Sequence, residues 1–173
     1  MGRTEQQVPK PETISSDEDV VFMPPNSLRA KVSVAEAEGP DFDRIEAGLA
    51  ELGKEFVARL PGEIEAINQA FSAFSAMPQD EDAKKALFRR IHDLKGQGGT
   101  FKYDLITTIG NDLCRYIERP IAFTERRLAV VGFHIDAMSR VQRDAITGNG
   151  GALGERMVGT LRGMVKKVLD DVS

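Results

Sequence analysis

The sequence contains no tryptophan, a single cysteine and two histidines in 173 residues. A lone thiol, Cys114, excludes an internal disulfide. So few thiols and imidazoles argue against a Cys/His zinc site, and no metal site is expected. Aromatic residues make up 6% of the chain, a scarcity that suits aliphatic helix seams better than a β-sandwich. No apolar run approaches the roughly 18–20 residues of a membrane span, and no signal-peptide core opens the chain. The expectation is a cytoplasmic protein without membrane insertion. An excess of positive charge is also missing. The net charge is -4 and the pI about 5.3, which argues against a nucleic acid as partner. Neither G-x-x-x-x-G-K-[ST] nor a kinase-type glycine loop occurs, so nothing cradles ATP.

What is present suffices for a packed core: 41% hydrophobic and 29% charged residues. The length exceeds the roughly 100–150 residues of an ordinary domain, and the composition shows where the surplus lies. Five of the eight prolines fall in residues 1–40, with seven acids against four bases. Residues 1–19 bury too little apolar surface to offset ordering entropy, and a disordered or extended tail is expected over 1–40. Ser15-Ser16 reads as solvated tail. An apolar island, Val20-Val21-Phe22-Met23, interrupts it and reads as linker, docking peptide or packing arm.

Residues 41–173 carry a helical pattern throughout. Phe42, Ile45, Leu49, Leu52, Phe56 and Leu60 recur at steps of three and four, placing them on one helical face. The seam continues through Ile64, Ile67, Phe71 and Phe74. Pro61 either opens a new helix or kinks a long one. Asp80 is the expected N-cap of a helix over about 81–98, with Leu87, Ile91 and Leu94 inward. Further helices are expected over about 103–118, 122–147 and 153–172, separated by Arg119-Pro120 and Gly148-Asn149-Gly150-Gly151. Met138, Met157 and Met164 belong to the seams of the last two. Connections this short predict an all-α, antiparallel up-down four-helix bundle with an additional or kinked N-terminal helix.

One stretch carries chemistry: Phe88-Arg89-Arg90-Ile91-His92-Asp93-Leu94-Lys95-Gly96-Gln97-Gly98-Gly99. At 100° per residue, Leu87, Ile91 and Leu94 form the buried stripe. His92 falls about 100° from Ile91, outside that stripe. It shares a face with Phe88, Lys95, Gly96 and Gly99. An imidazole is therefore presented near solvent, with an ammonium one turn on and bare backbone beyond. A helical glycine costs about 1 kcal/mol relative to alanine, and the physical use of Gly96 is clearance for an approaching backbone or phosphoryl group. Gly98 and Gly99 are read as ending the helix or adding to that clearance. Residues 80–102 hold six bases and four acids, three of the acids at the helix start. This reads equally as a solvated face or as a field that steers an acidic partner.

His92-Asp93-Leu94-Lys95-Gly96 followed by Gly99 resembles the H-x-L-K-G signature of histidine-containing phosphotransfer (HPt) domains. The likeness covers about residues 50–118. It implies a four-helix bundle that relays phosphoryl groups between receiver domains of two-component systems. Its partners would be response-regulator receivers or a hybrid histidine kinase, and it would act as a cytoplasmic monomer. Position by position, His92 would be the phosphoacceptor and Lys95 would neutralise the phosphoryl oxygens. Gly96, Gly99, Phe88, Arg89 and Gln97 would line the docking surface. No cofactor of its own is implied; Mg²⁺ would reside in the receiver. Such a protein is a phosphocarrier and not an ATP-using kinase. The sequence departs from the family pattern twice. Lys102 stands where many members have glycine, and Cys114 stands near a position where some carry a histidine-binding glutamine. These departures are the features that favour the alternative, a non-catalytic helical adaptor that docks without transfer.

The chemistry also follows without the family. Neutral imidazole, with an ordinary pKa of about 6.5, is a nucleophile near pH 7. Phosphoryl transfer is mainly positioning and charge neutralisation, for which a nearby lysine is the fitting accessory. His134 has no such companions and reads as a surface or boundary residue. Cys114 reads as a small buried hydrophobe.

Overall fold

The computed structural model describes residues 41–171. The expected tail over 1–40, with its apolar island and serine pair, lies outside the described residues. Among the described residues there are five helices and no strand: α1 (Phe42–Ala76), α2 (Glu81–Thr100), α3 (Asp104–Ile117), α4 (Glu125–Arg143) and α5 (Gly151–Asp170).

α1 starts at Asp41, whose Oδ1 accepts the Arg44 amide at 3.1 Å. It runs 35 residues through Pro61 without a break, so no new helix opens at Pro61. Pro61 has no N–H to offer the Val57 carbonyl. Both residues are exposed. The buried seam of α1 is Phe56, Leu60, Ile64, Ile67 and Phe74. The earlier part of the expected seam is not core, because Phe42, Ile45, Leu49 and Leu52 are each at least half exposed. Cover begins only at Phe56, whose ring stacks on Phe101 at 4.9 Å and tilts against Tyr103 at 5.6 Å. Leu49 and Leu52 lie N-terminal to that contact.

From Glu46 onward the described residues form one unit with α3 at its centre. α2 packs along α3, α3 also meets α4 and α5, and α4 meets α5. α3 buries Leu105, Ile106, Ile109, Leu113, Cys114, Tyr116 and Ile117, and each large apolar side chain so placed contributes about 1.5–3 kcal/mol. α1 joins through its rings. Phe74 meets Phe123 edge-on at 5.1 Å, and Phe71 lies against Gly132. A forked ion pair ties α5 to α3, with Arg162 Nε 2.6 Å and a second guanidinium nitrogen 3.3 Å from the Asp112 carboxylate.

Helix starts and stops follow local chemistry. Asp80 caps α2 as expected, its Oδ1 accepting the amides of Asp82 and Ala83 at 2.9 and 3.3 Å. The stop is later than expected. α2 continues through Gly98 and Gly99 to Thr100, and the chain reverses at Lys102, whose φ is +62°. The Tyr103 amide reaches back to the Gly98 carbonyl at 2.8 Å, the bond that closes a Schellman stop. α4 ends the same way and four residues sooner than expected. Ala145 has φ +48°, and the Ile146 amide bonds the Val141 carbonyl at 3.0 Å. Both left-handed positions, normally held by glycine, carry side chains here, so the composition gave no stop signal. The two reversals are also joined. The Gly148 amide donates to Lys102 C=O at 2.5 Å, and the Leu105 amide donates to Gly148 C=O at 2.9 Å. Replacing Lys102 or Ala145 by glycine relieves the left-handed strain and is expected to raise the unfolding free energy by about 0.5–1 kcal/mol each. Urea denaturation measures it; a loss of stability at both positions would contradict the strained assignment.

His134 is not a surface residue. It is fully buried in α4, because the 3.6-residue repeat turns it inward with Val130, Val131 and Ile135. Nδ1–H donates to the Val130 carbonyl at 2.7 Å, and Nε2 has no partner among the described residues. Burial holds the imidazole pKa below its ordinary 6.5, against smaller opposing effects of the Val130 carbonyl and Asp112. The folded state therefore resists protonation while the unfolded chain accepts it. Stability contributed by neutral His134 is complete above about pH 6.5 and falls as pH drops below that value. In His134→Gln, the slope of stability against pH just below 6.5 is expected to lose up to one proton, or about 1.4 kcal/mol per pH unit. Urea titrations at pH 7, 6.5 and 6 measure this; an unchanged slope would refute it.

Candidate functional site

The middle and C-terminal half of α2 set the site. Leu87, Ile91 and Leu94 are buried against the core, which fixes the rotation of the helix. His92 is thereby turned outward, with its side chain 57% exposed. Its ring lies over the half-buried Phe88, with centroids 5.9 Å apart and planes at 28°. Nδ1 sits 3.8 Å from an Asp93 carboxylate oxygen. That is too long for a hydrogen bond but close enough to place negative charge on the Nδ1 side of the ring. Arg89 is exposed one turn before His92, and Gln97 is half-buried with its amide directed at the Asp93 carbonyl at 3.5 Å.

The glycines of the motif divide into two kinds. A Cβ built on Gly96 would meet nothing within 4 Å, so the helix is bare there, as the clearance reading requires. Gly99 is also exposed, and its Cβ would make only an ordinary 3.5 Å contact with Thr107. Gly98 is different. It is buried, and a Cβ there would lie 2.9 Å from Thr107 Oγ1 and 3.1 Å from the Tyr103 carbonyl oxygen. It neither ends the helix nor clears the surface; it lets α3 approach.

Lys95 is the residue whose placement the helical wheel did not reveal. It is half-buried, and its ammonium donates to Asn111 Oδ1 on α3 at 2.9 Å. Its backbone carbonyl accepts the Thr107 hydroxyl at 2.8 Å. Its Cβ presses on Gly110, where an added Cβ would come within 2.8 Å. Asn111, Thr107 and Gly110 thus form a seat for Lys95 that sequence reasoning missed. Only the T-x-x-G-N spacing on α3 hinted at it, and that has no meaning until α2 is laid alongside. Cys114 is buried a turn farther along α3. Burial pushes its thiol up to about 11, partly opposed by the charge of Lys95. It is thus a protonated apolar filler and no nucleophile at neutral pH.

The described residues contain no group of three or more His, Cys, Asp and Glu side chains able to hold a metal ion, and no helix long and apolar enough to cross a membrane. The chain matches no family model, no curated protein and no solved structure. Chemically the site offers an accessible imidazole, a nearby cation held from α3 and an uncovered stretch of helix.

The two glycines are expected to respond oppositely to the same change. Gly96→Ala gains helix propensity in open space and should stabilise by about 0.5–1 kcal/mol. Gly98→Ala forces α2 and α3 apart and should destabilise by about 1–3 kcal/mol. Thermal unfolding compares them, and equal shifts would show that the two positions are not distinguished by packing.

Proposed function

We propose that the chain is a histidine phosphotransfer protein that relays phosphoryl groups to and from receiver-domain aspartates through His92. The observation that carries this reading is the exposed imidazole beside an uncovered Gly96, on a helix whose other face is locked into the core. The H-x-L-K-G resemblance supports it, and so does the absence of any ATP-binding motif from the sequence. On this reading α2 to α5 make up an antiparallel up-down bundle flanked by α1, and the protein works as a cytoplasmic monomer.

The step is a displacement at phosphorus. Nε2 of neutral His92 attacks the acyl phosphate of a receiver aspartate in line. The N–P bond forms as the P–O bond breaks, and the aspartate leaves as a carboxylate. The Nδ1 proton stays on the ring, where the Asp93 carboxylate offsets the positive charge that develops. Lys95 offsets charge on the equatorial phosphoryl oxygens. The Mg²⁺ that the receiver carries would complete the neutralisation. Reversal of these movements returns the group to a second receiver. Phe88, Arg89, Gln97 and Gly99 surround the landing area, and the basic balance of α2 favours an acidic receiver pocket.

A second reading is favoured by two observations: Lys95 is held by Asn111, and Cys114 offers no strong hydrogen bond to a phosphoryl group. A helical adaptor that docks a receiver or kinase without transfer would tolerate both.

The deciding experiment mixes the protein with a phosphorylated receiver and follows the label. Acid-labile, base-stable label is expected on the wild type and none on His92→Gln. Lys95→Ala should fold normally and accept label about 10–100-fold more slowly. Asn111→Ala, which unseats Lys95 without removing its charge, should slow transfer less than Lys95→Ala. Unlabelled wild-type protein that still binds the receiver would establish the adaptor instead, and label undiminished in His92→Gln would reject the relay.

A further inference from the structure

Away from His92, α4 and α5 do not close over each other completely. A trough follows their seam, floored by Phe133, Ala137, Met157, Leu161 and Met164, with Ser139 and Thr160 beside them and Asn68 of α1 on its wall. It continues past Phe133 and Met164 towards Val130 and Val168. The wider part offers about 810 Å³ and is open to solvent along its length. Phe133 is 48% exposed there, and Met157 and Met164 are only half-covered although their seam predicted core. The flanks are basic. Arg140, Arg143 and Arg156 line one end, and Arg126 and Lys167 line the other. The acids nearby offset only part of this. Asp144 pairs with Arg140 at 3.2 Å, Asp171 pairs with Arg126 at 3.4 Å, and Asp136 lines the trough. Arg143, Arg156 and Lys167 have no acidic partner within 4 Å among the described residues.

We infer that this trough is a second docking surface, and that it receives an amphipathic helix with an acidic edge from a partner protein. Three features select that occupant. The floor is apolar and linear, so it fits residues spaced at i, i+3, i+4 and i+7 on one helical face. The unpaired cations stand on the flanks, so the complementary charge belongs beside the apolar stripe and not within it. The length also fits: α4 spans 19 residues, or about 28 Å, enough for a docked helix of about five turns. Methionine on the floor lets the surface adapt to the side chains it meets. An anionic lipid surface would also meet cations and an exposed phenylalanine, but a trough along a helix seam is shaped for a rod rather than a plane. None of this depends on His92.

The test uses the full chain and a fluorescein-labelled 18-residue synthetic peptide with leucines on one helical face and glutamates flanking them. A matched peptide with lysines in place of the glutamates is the control. Saturable binding in the micromolar range is expected for the glutamate peptide, weakened at least tenfold for the lysine peptide. With methyl-labelled methionine, the signals of Met157 and Met164 should move while that of buried Met138 stays. Arg143→Glu with Arg156→Glu should weaken binding about tenfold or more with an unchanged melting temperature. If that pair fails to fold, Lys167→Glu alone should still weaken binding. His92→Gln should bind as the wild type does, which separates this surface from the relay reading. Equal binding of both peptides, methyl shifts confined to other methionines, or indifference to the charge reversals would overturn the inference. So would absence of peptide binding together with co-sedimentation on phosphatidylserine vesicles, an outcome that would assign the trough to a membrane surface.

Discussion

The close approach of α2 and α3 is the constraint on which the rest depends. Two glycines permit it from opposite sides. Gly98 admits Thr107 and the Tyr103 carbonyl, and Gly110 admits the Cβ of Lys95. The Thr107 hydroxyl then bonds the Lys95 carbonyl. With the helices locked at that distance, Ile91 and Leu94 fill the interface and the rotation of α2 is no longer free. His92, one residue from Ile91, has nowhere to go but outward. The proposed chemistry of the site is thus a consequence of packing on the opposite face of the same helix.

The same contact sets the electrostatics. Lys95 stands where a wheel diagram puts it beside His92, but its ammonium is anchored from α3 by Asn111. An anchored ammonium loses less conformational freedom when it meets an anion than a free surface lysine does. It also leaves its mark on Cys114, where it opposes part of the effect of burial on the thiol. Asn111 is therefore the residue through which α3 would influence a reaction on α2. The turn that returns the chain from one helix to the other is held in turn by the α4–α5 connection, through the pairing of Lys102 with Gly148. Lys102 marks a strained reversal, a backbone conformation that glycine adopts without steric cost.

Several elements were legible in the sequence because their signals are local. The seams of α2 and α3, the Asp80 cap and the break at Pro120 depend on residues within one or two turns. Others were not. The stops of α2 and α4 fall on Lys102 and Ala145, two residues that ordinarily avoid left-handed backbone, so no local signal announced them. The face Phe42–Leu52 has the period of a core seam, but period reports which residues share a face and not whether a neighbour covers it. His134 reads as a boundary residue from its lack of companions, and only the cover over α4 shows that its position among two buried valines and Ile135 turns it inward.

What the sequence by itself determined is the all-helical character, the exposure of His92 and the bareness of the helix at Gly96, since each follows from a 3.6-residue repeat applied to neighbouring side chains. The tertiary structure alone decided that Gly98 packs while Gly96 does not, that Asn111 holds Lys95, and that the α4–α5 seam stays open between basic flanks. Those outcomes depend on which helix lies beside which, and at what distance. Residues far apart in the chain meet only after the core has fixed both.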